Sequence, residues 1–276
     1  MRQKQAKSKI STLIVALVLV IALCLPSFGQ SSSENTAFVQ LRVLTFNIYH
    51  GATMKGDFDL DLIASVIKNL DPDLVALQEV DFKTGRARNM DLVTELGYRT
   101  GMSPLFGKAM NYDGGEYGEG ILSKYSFKST RVHPLQFSEG HEPRAALEVE
   151  VELKNGSVIS FIGTHLDHVK DPGDRIMQAK QINELLEKIE NPAILAGDLN
   201  ALPGSDPIQI LRKKWTLSDA KGLKPTFPSS GPTRKIDYIM YSPAKSWKVV
   251  ETRVIDEKVA SDHSPYFVVL ELLPGK

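Results

Sequence analysis

Apolar residues along this chain come in short unbroken runs, and several of the runs end on a polar side chain. Leu41 to Ile48 is apolar apart from Arg42 and Thr45 until it reaches Asn47. Asp73 to Val80 runs through Leu74, Val75, Ala76 and Leu77 into Gln78 and Glu79. Ser157 to Gly163 leads into Thr164 and His165, and Ala193 to Gly197 leads into Asp198, Leu199 and Asn200. Lys235 to Tyr241 carries Asp237, and Asp262-His263 precedes the last run, Tyr266 to Leu273. Runs of this length read as buried strands. Arg144 to Leu153 and Ser157 to Gly163 are joined by Asn155-Gly156, a strong hairpin signal. Helical spacing appears at Asp59 to Leu70, where Ile63, Val66, Ile67 and Leu70 form one stripe that Asp71-Pro72 ends. It recurs at Gly173 to Glu190, with Ile176, Ala179, Ile182, Leu185, Leu186 and Ile189 as the packing stripe. Shorter helices are expected at Asn89 to Leu96 and Asp206 to Leu211, the latter with Pro207 in its first turn. Met110 to Gly120 is dense in Gly, Tyr and carboxylate, and reads as a tight substrate-facing loop that something approaches closely.

The N-terminus has a different pattern. Arg2, Lys4, Lys7 and Lys9 precede the 13-residue apolar run Leu13 to Leu25, and Ser27 and Gly29 stand at −3 and −1 of a cut before Gln30. This is a secretory signal peptide over residues 1–29, so a secreted or periplasmic location is expected. The run is short for a membrane span. Cys24 follows Leu23 rather than the small residue usual before a lipidated cysteine, so a membrane anchor is disfavoured. Residues 30–40 read as a disordered linker, and residues 41–274 as one domain. Losing the leader removes four basic residues and no acidic ones from a balanced 33 and 33, leaving a net charge of about −4. It also removes the sole cysteine, so a hydrophobic core rather than disulfides must stabilise the mature chain. A non-specific nucleic-acid binder usually carries a basic surplus, and none is present overall.

Each polar strand end has an ordinary reading as a turn former or rim ion pair, and His168 is read as structural. Six of them together point to one constructed site. Asp198 and Asn200, two apart at a strand end, project side by side. No cysteine or histidine cluster suits a structural zinc, and no Gly-x-Ser-x-Gly elbow or phosphate-cradling P-loop occurs. Oxygen ligands with two histidines suit Mg²⁺ or Mn²⁺ and phosphate-ester chemistry.

Thr45-Phe46-Asn47, Leu77-Gln78-Glu79-Val80, Gly163-Thr164-His165-Leu166, Gly197-Asp198-Leu199-Asn200, Ile236-Asp237-Tyr238-Ile239 and Ser261-Asp262-His263 together resemble the ordered motif set of the endonuclease/exonuclease/phosphatase superfamily. The resemblance spans residues 41 to about 273. It implies an α/β fold, a four-layer sandwich of two packed mixed β-sheets flanked by helices, and metal-dependent hydrolysis of a phosphoester. By motif position Glu79 binds Mg²⁺ or Mn²⁺ with Asn47 beside it and Asp262 as a further ligand. Asp198 orients or deprotonates the attacking water. Asn200 and His165 contact the phosphate, as does Arg144 on a weaker correspondence. His263, oriented by Asp262, acts as acid/base or stabilises the pentacovalent state, with Asp237 in support. The residues alone leave open whether Asp198 or His263 takes the proton, and whether one metal or two bind.

The function expected from these readings is a secreted Mg²⁺-dependent phosphoesterase, a phosphodiesterase acting on a small-molecule or lipid headgroup. The alternatives are an extracellular nuclease, since a local basic patch can hide in a near-neutral total, and a non-catalytic binding module. The expected partner is the phosphoester substrate, with nucleic acid possible, no protein partner, and a monomeric state.

Overall fold

The computed structural model describes residues 38–219 and 224–274. The expected leader and most of the expected linker lie outside the described residues. Among the described residues twelve strands form two six-stranded sheets, with four α-helices. The first sheet is built from β1 (Val39–Asn47), β2 (Leu74–Phe82), β3 (Ser103–Tyr112), β4 (Gly115–Ser123), β11 (Trp247–Val254) and β12 (Tyr266–Leu272). The second is built from β5 (Phe127–Leu135), β6 (Arg144–Glu152), β7 (Val158–His165), β8 (Ala193–Asp198), β9 (Thr216–Leu217) and β10 (Asp237–Ser242). Strand orders are β11-β12-β1-β2-β4-β3 and β5-β6-β7-β8-β10-β9.

Each sheet contains one parallel pair at its centre. Helix α1 (Leu60–Leu70) connects β1 to β2, and α3 (Gly173–Leu186) connects β7 to β8. The remaining pairings are antiparallel. A parallel pair requires such a crossover, and both faces of its strands are then covered. This explains the unbroken apolar runs. In β1, Leu41 and Val43 face the other sheet, whereas Leu44 and Phe46 face the helices. The inter-sheet core contains Leu74, Ala76, Phe161, Ile194, Ala196, Ile239 and Val268. One outer core packs the first sheet against α1 and α2 (Leu92–Thr100), and the other packs the second sheet against α3 and α4 (Asp206–Leu211). The layer order is helix, sheet, sheet, helix, and each large side chain fully buried this way contributes roughly 1.5–3 kcal/mol.

The ends of α1 follow the sequence signals, whereas α2 runs from Leu92 to Thr100 rather than over the expected Asn89 to Leu96. Asp59 caps α1 by accepting from Leu62 N at 2.9 Å, and Asp71 closes it in the left-handed conformation ahead of Pro72. Three further expectations need correction. Helix α3 ends at Leu186 rather than Glu190, and its buried face includes Arg175, Gln178 and Asn183 alongside Ala179 and Ile182. Arg175 and Gln178 hold the chain after β7, with Arg175 Nη1 donating to Asp167 O at 2.9 Å and Asp167 N donating to Gln178 Oε1 at 2.9 Å, while Asn183 Nδ2 donates to Ile210 O in α4. Met110 to Gly120 is not a loop but the turn and facing halves of the β3–β4 hairpin. Its glycines do mark a close approach, by backbone: a Cβ on Gly118 would lie 2.0 Å from Gly107 O, and one on Gly115 would lie 2.3 Å from Phe82 O. The sparsely apolar edge strands β5 and β11 carry no clear buried-run pattern and are found only in the structure.

A second close approach sits under the site. Thr164 and Gly197 are register partners in the parallel pair β7–β8, and a Cβ on Gly197 would lie 1.9 Å from Thr164 O. Gly197→Ala must therefore push two central strands apart. It is expected to cost about 3 kcal/mol by overpacking, read as a lowered midpoint in denaturant unfolding. A midpoint equal to wild type would show that the strand pair is not held this tightly.

Candidate active site

The polar strand ends converge. Asn47 ends β1, Gln78 and Glu79 lie toward the end of β2, His165 ends β7, and Asp198 ends β8. These are the carboxyl ends of both parallel pairs, where open α/β sheets place their ligands. Asp237 opens β10 opposite Asp198 in the antiparallel register. Glu79, Arg144, His165, Asp198, Asn200, Asp262 and His263 line one cavity of about 320 Å³.

Local backbone features aim these groups. The register of β2 against β4 slips between Leu77 and Val80, and Glu79 has φ 56°. Leu77 and Val80 both face the helix-side core, so the bulge inserts one residue and turns Glu79 out of the alternation. Left-handed backbone is unfavourable for a glutamate, and such conformations persist where the surroundings over-determine them. Asn200, at φ 47°, uses a conformation that Asn tolerates. Its backbone N–H donates to Asp198 Oδ1 at 2.9 Å, fixing the Asp198-Leu199-Asn200 turn.

Asp198 is the common neighbour. Asn47 Nδ2 donates to Glu79 Oε1 at 3.0 Å and to Asp198 Oδ2 at 3.4 Å, linking the two sheets. The Asn47 carboxamide oxygen is engaged by Tyr49 N at 3.1 Å, which fixes the amide orientation. Asn47 thus presents its nitrogen, not its oxygen, to the carboxylates. His263 Nδ1 meets Asp237 Oδ1 and Oδ2, each at 3.1 Å, while its Nε2 lies 3.6 Å from Asp198 Oδ2. This corrects the expectation for Asp262. The carboxylate that orients His263 is Asp237, twenty-six positions away; Asp262 lines the cavity with Glu79.

The far wall is set by Arg144, which is buried. Its Nη1 donates to His165 Nδ1 at 3.0 Å, and Nη2 donates to Glu142 Oε2 at 2.8 Å and His168 Nδ1 at 3.0 Å. An imidazole that accepts at Nδ1 and is neutral carries its proton on Nε2. The His165 Nε2 then directs its proton toward Asp198 Oδ2 at 3.5 Å, while the neighbouring Asn200 Nδ2, 3.0 Å from Nε2, donates to Leu166 O at 3.1 Å. His168, read from sequence as structural, is a cavity residue. Sequence reasoning also passed over His50, 3.5 Å from Glu79, and Phe227, whose ring centroid lies 4.7 Å from that of His263. His50 follows the motif residue Asn47 by three positions, the signal that could have found it. Phe227 lies in a polar, proline-rich loop with no local signal.

Burial and mutual charge separate the titrations. Burial is the largest influence on Asp198 and pushes its carboxyl up, as does Asp237; His263 opposes this, and the result is about 7. Burial also disfavours the His263 imidazolium, but the Asp237 and Asp198 carboxylates outweigh it and hold the ring up at about 10. Glu79 is pulled down to about 2, its burial overcome by the His50 and Asn47 hydrogen bonds and neighbouring imidazoles. Burial and the Arg144 guanidinium push His165 well below the usual imidazole range, consistent with the neutral ring inferred above. Near neutral pH the His263 imidazolium therefore lies between Asp237 and an Asp198 carboxyl poised to gain or lose its proton.

The donor chemistry suits a divalent cation. Asp198, Asp237 and His263 each bring a ligand atom within 4.8 Å of the others. Glu79 and Asp262 share the cavity, and burial, with repulsion from Glu79 adding to it, pushes the Asp262 carboxyl upward. A hard cation among such oxygens relieves that repulsion. A buried constellation of carboxylates, imidazoles, a carboxamide and a guanidinium at strand ends of a double-sheet sandwich defines a phosphoesterase-type site.

Comparison with known proteins agrees. The model of the Endonuclease/Exonuclease/phosphatase family matches residues 44–263, and the chain belongs to that family. The solved endonuclease/exonuclease/phosphatase from Beutenbergia cavernae DSM 12333 is similar at 24% identity and TM-score 0.69, over 85% of this chain and 72% of that one. The mannosyl-6-phosphatase of Bacteroides thetaiotaomicron VPI-5482 is similar at 20% identity and TM-score 0.71, over 83% and 99%. The human Nocturnin catalytic domain with bound sulfate anion is similar at 19% identity and TM-score 0.68, over 85% and 96%. The protein is a phosphoesterase of this family.

Asp237→Asn removes the carboxylate that holds the His263 imidazolium. With burial then unopposed on that side, the His263 pKa is expected to fall from about 10, read by NMR titration of the metal-free protein. The sign for stability follows. A histidine raised in the folded state contributes its stabilisation fully below its unfolded pKa of about 6.5, and loses it as pH rises through about 10. Asp237→Asn should therefore shrink the loss of stability across that window. An unchanged His263 titration would remove Asp237 as its cause.

Proposed function

We propose that the protein is a secreted, Mg²⁺- or Mn²⁺-dependent phosphodiesterase acting on a small-molecule or lipid-headgroup phosphoester by in-line water attack. The observation that carries this reading is the Asp237–His263–Asp198 chain meeting Glu79 and Asp262 in one small cavity. Glu79 and Asp262 would hold the cation, with Asn47 bridging to Asp198, and the cation would neutralise charge developing on the non-bridging phosphate oxygens. Asp198 is the better candidate for the base. Both ring nitrogens of His263 face carboxylates, and the proton it carries makes it an acid and a charge stabiliser. A carboxyl poised near 7 matches a general base working at neutral pH. His165, Asn200 and Arg144 supply N–H donors for the phosphate oxygens. The cavity is at the small end of ligand sites, which favours a compact headgroup over a duplex.

The purified chain is expected to hydrolyse bis-p-nitrophenyl phosphate with Mg²⁺, to lose that activity in chelator, and to lose roughly 10²–10⁴-fold in kcat with His263→Ala. p-Nitrophenyl phosphate, plasmid DNA and sphingomyelin are assayed beside it. Cleavage of plasmid alone, abolished by His263→Ala, would establish the nuclease instead. Chelator-insensitive turnover would sink the metal-binding role of Glu79. For the secretion reading, N-terminal sequencing of protein recovered outside the cytoplasm should begin at Gln30; an intact Met1 in the membrane fraction would replace the cleaved leader with an anchor.

A further inference from the structure

Half of the cavity wall takes no part in the chemistry above, and its composition is specific. On the side of the β3–β4 hairpin stand Arg86 and Tyr112; on the side of Arg144 stand Glu142 and His168. Arg86 is rigidly held. Its Nε and Nη2 donate to the two oxygens of the fully buried Asp81 at 2.7 and 2.9 Å, and its backbone N–H donates to Asp113 Oδ2 at 2.7 Å. The guanidinium carbon lies 4.4 Å from the Tyr112 ring centroid. Only Nη1 of its fork stays outside the Asp81 pair. Tyr112 keeps 40% of its surface exposed, so its ring is a platform rather than core.

Charge narrows the ligand. Arg86 is matched by Asp81, and Arg144 by Glu142. The outer wall therefore has no surplus positive charge with which to hold a second phosphate or carboxylate. It offers donors and an acceptor instead: Arg86 Nη1, the half-exposed Glu142 carboxylate, and His168, whose Nδ1 accepts from Arg144 so that a neutral ring donates from Nε2. A hydroxyl-bearing ring or chain both gives and takes hydrogen bonds and can rest its apolar face on an aromatic ring, which fits this uncharged balance of donors and acceptor.

We propose that Arg86, Tyr112, Glu142 and His168 form a subsite for a neutral polyol, which carries the phosphoester into the inner site. The assignment rests on the phosphoester reading of that inner site. The polyol is either a free soluble ester or the headgroup of a lipid, and the two present the same hydroxyls to the subsite.

The test compares kcat/KM for glycerophosphoinositol, phosphatidylinositol vesicles, the dinucleotide TpT and bis-p-nitrophenyl phosphate in wild type, Tyr112→Ala and Glu142→Gln. Both substituted side chains are partly exposed, and neither change strands the buried Asp81. The ratio of polyol ester to aryl ester is expected to fall about tenfold in each variant, the worth of one hydrogen bond or stacking contact, and to fall through KM. The arm that shows the fall, soluble or vesicular, identifies the source of the polyol. A ratio within about twofold of wild type in both variants overturns the subsite, and a fall confined to TpT replaces the polyol with a nucleoside. If wild type hydrolyses none of the esters, the phosphoester reading fails by itself. Calorimetric titration with glycerophosphoinositol then decides the subsite: binding weakened about tenfold by Tyr112→Ala upholds it, and no binding to wild type overturns it.

Discussion

A carboxylate buried almost completely has to be compensated by its neighbours, and Asp198 is such a group at the floor of the cavity. Its neighbours come from both sheets: Asn47 from the first, and His165 and Asn200 from around β7 and β8 in the second. The loop before β12 adds His263. Compensating Asp198 therefore clamps the two sheets together at the ends of their parallel pairs. The surrounding architecture serves that contact. The crossover helices α1 and α3 make the parallel pairs possible, the glycine at 197 lets β7 and β8 close up, and the bulge in β2 turns Glu79 toward Asn47.

The same constraint explains why the site was largely legible in the sequence. Strands covered on both faces leave no ordinary place for polar side chains. Asn47, Glu79, His165 and Asp198 therefore stood out against apolar runs, and each is drawn into one cavity or its bridging network. What was not legible is whatever depends on pairing between distant segments. Asp262 is adjacent to His263 in sequence, yet the imidazole turns to Asp237, because β10 starts opposite the end of β8 and brings Asp237 level with Asp198. Asp262 and His263 sit at a bend before β12, where neighbours in sequence need not face each other, so sequence proximity was the poorer guide. The bulge at Glu79 is a register event between β2 and β4, invisible in either strand alone.

The β3–β4 hairpin shows a subtler limit. Its glycines signalled close approach and the structure contains one, but the approaching atoms are the carbonyl oxygens of Gly107 and Phe82. Composition reports that a Cβ does not fit; it does not report what occupies the space. The hairpin nonetheless carries Tyr112 and Tyr117 to the cavity: the missing side chain at 118 lets β3 and β4 close on each other, and the one at 115 lets the ribbon lie close against the β2 end.

Inner and outer parts of the cavity then differ in how their charges are balanced. In the outer part each cation already has a carboxylate of its own, Arg86 with Asp81 and Arg144 with Glu142. In the inner part Glu79 and Asp262 line the cavity beside Asp198, the His263 imidazolium lies between Asp198 and Asp237, and His165 is kept neutral. Burying like charges costs stability unless a cation joins them, so the carboxylates at the inner end are candidate ligands for a metal ion. The balanced outer end has no such demand, which is why the polyol proposed for it would be held by shape and hydrogen bonding. Separating the two ends by charge balance lets one wall change its ligand without disturbing the group of residues that the sheets are built to hold.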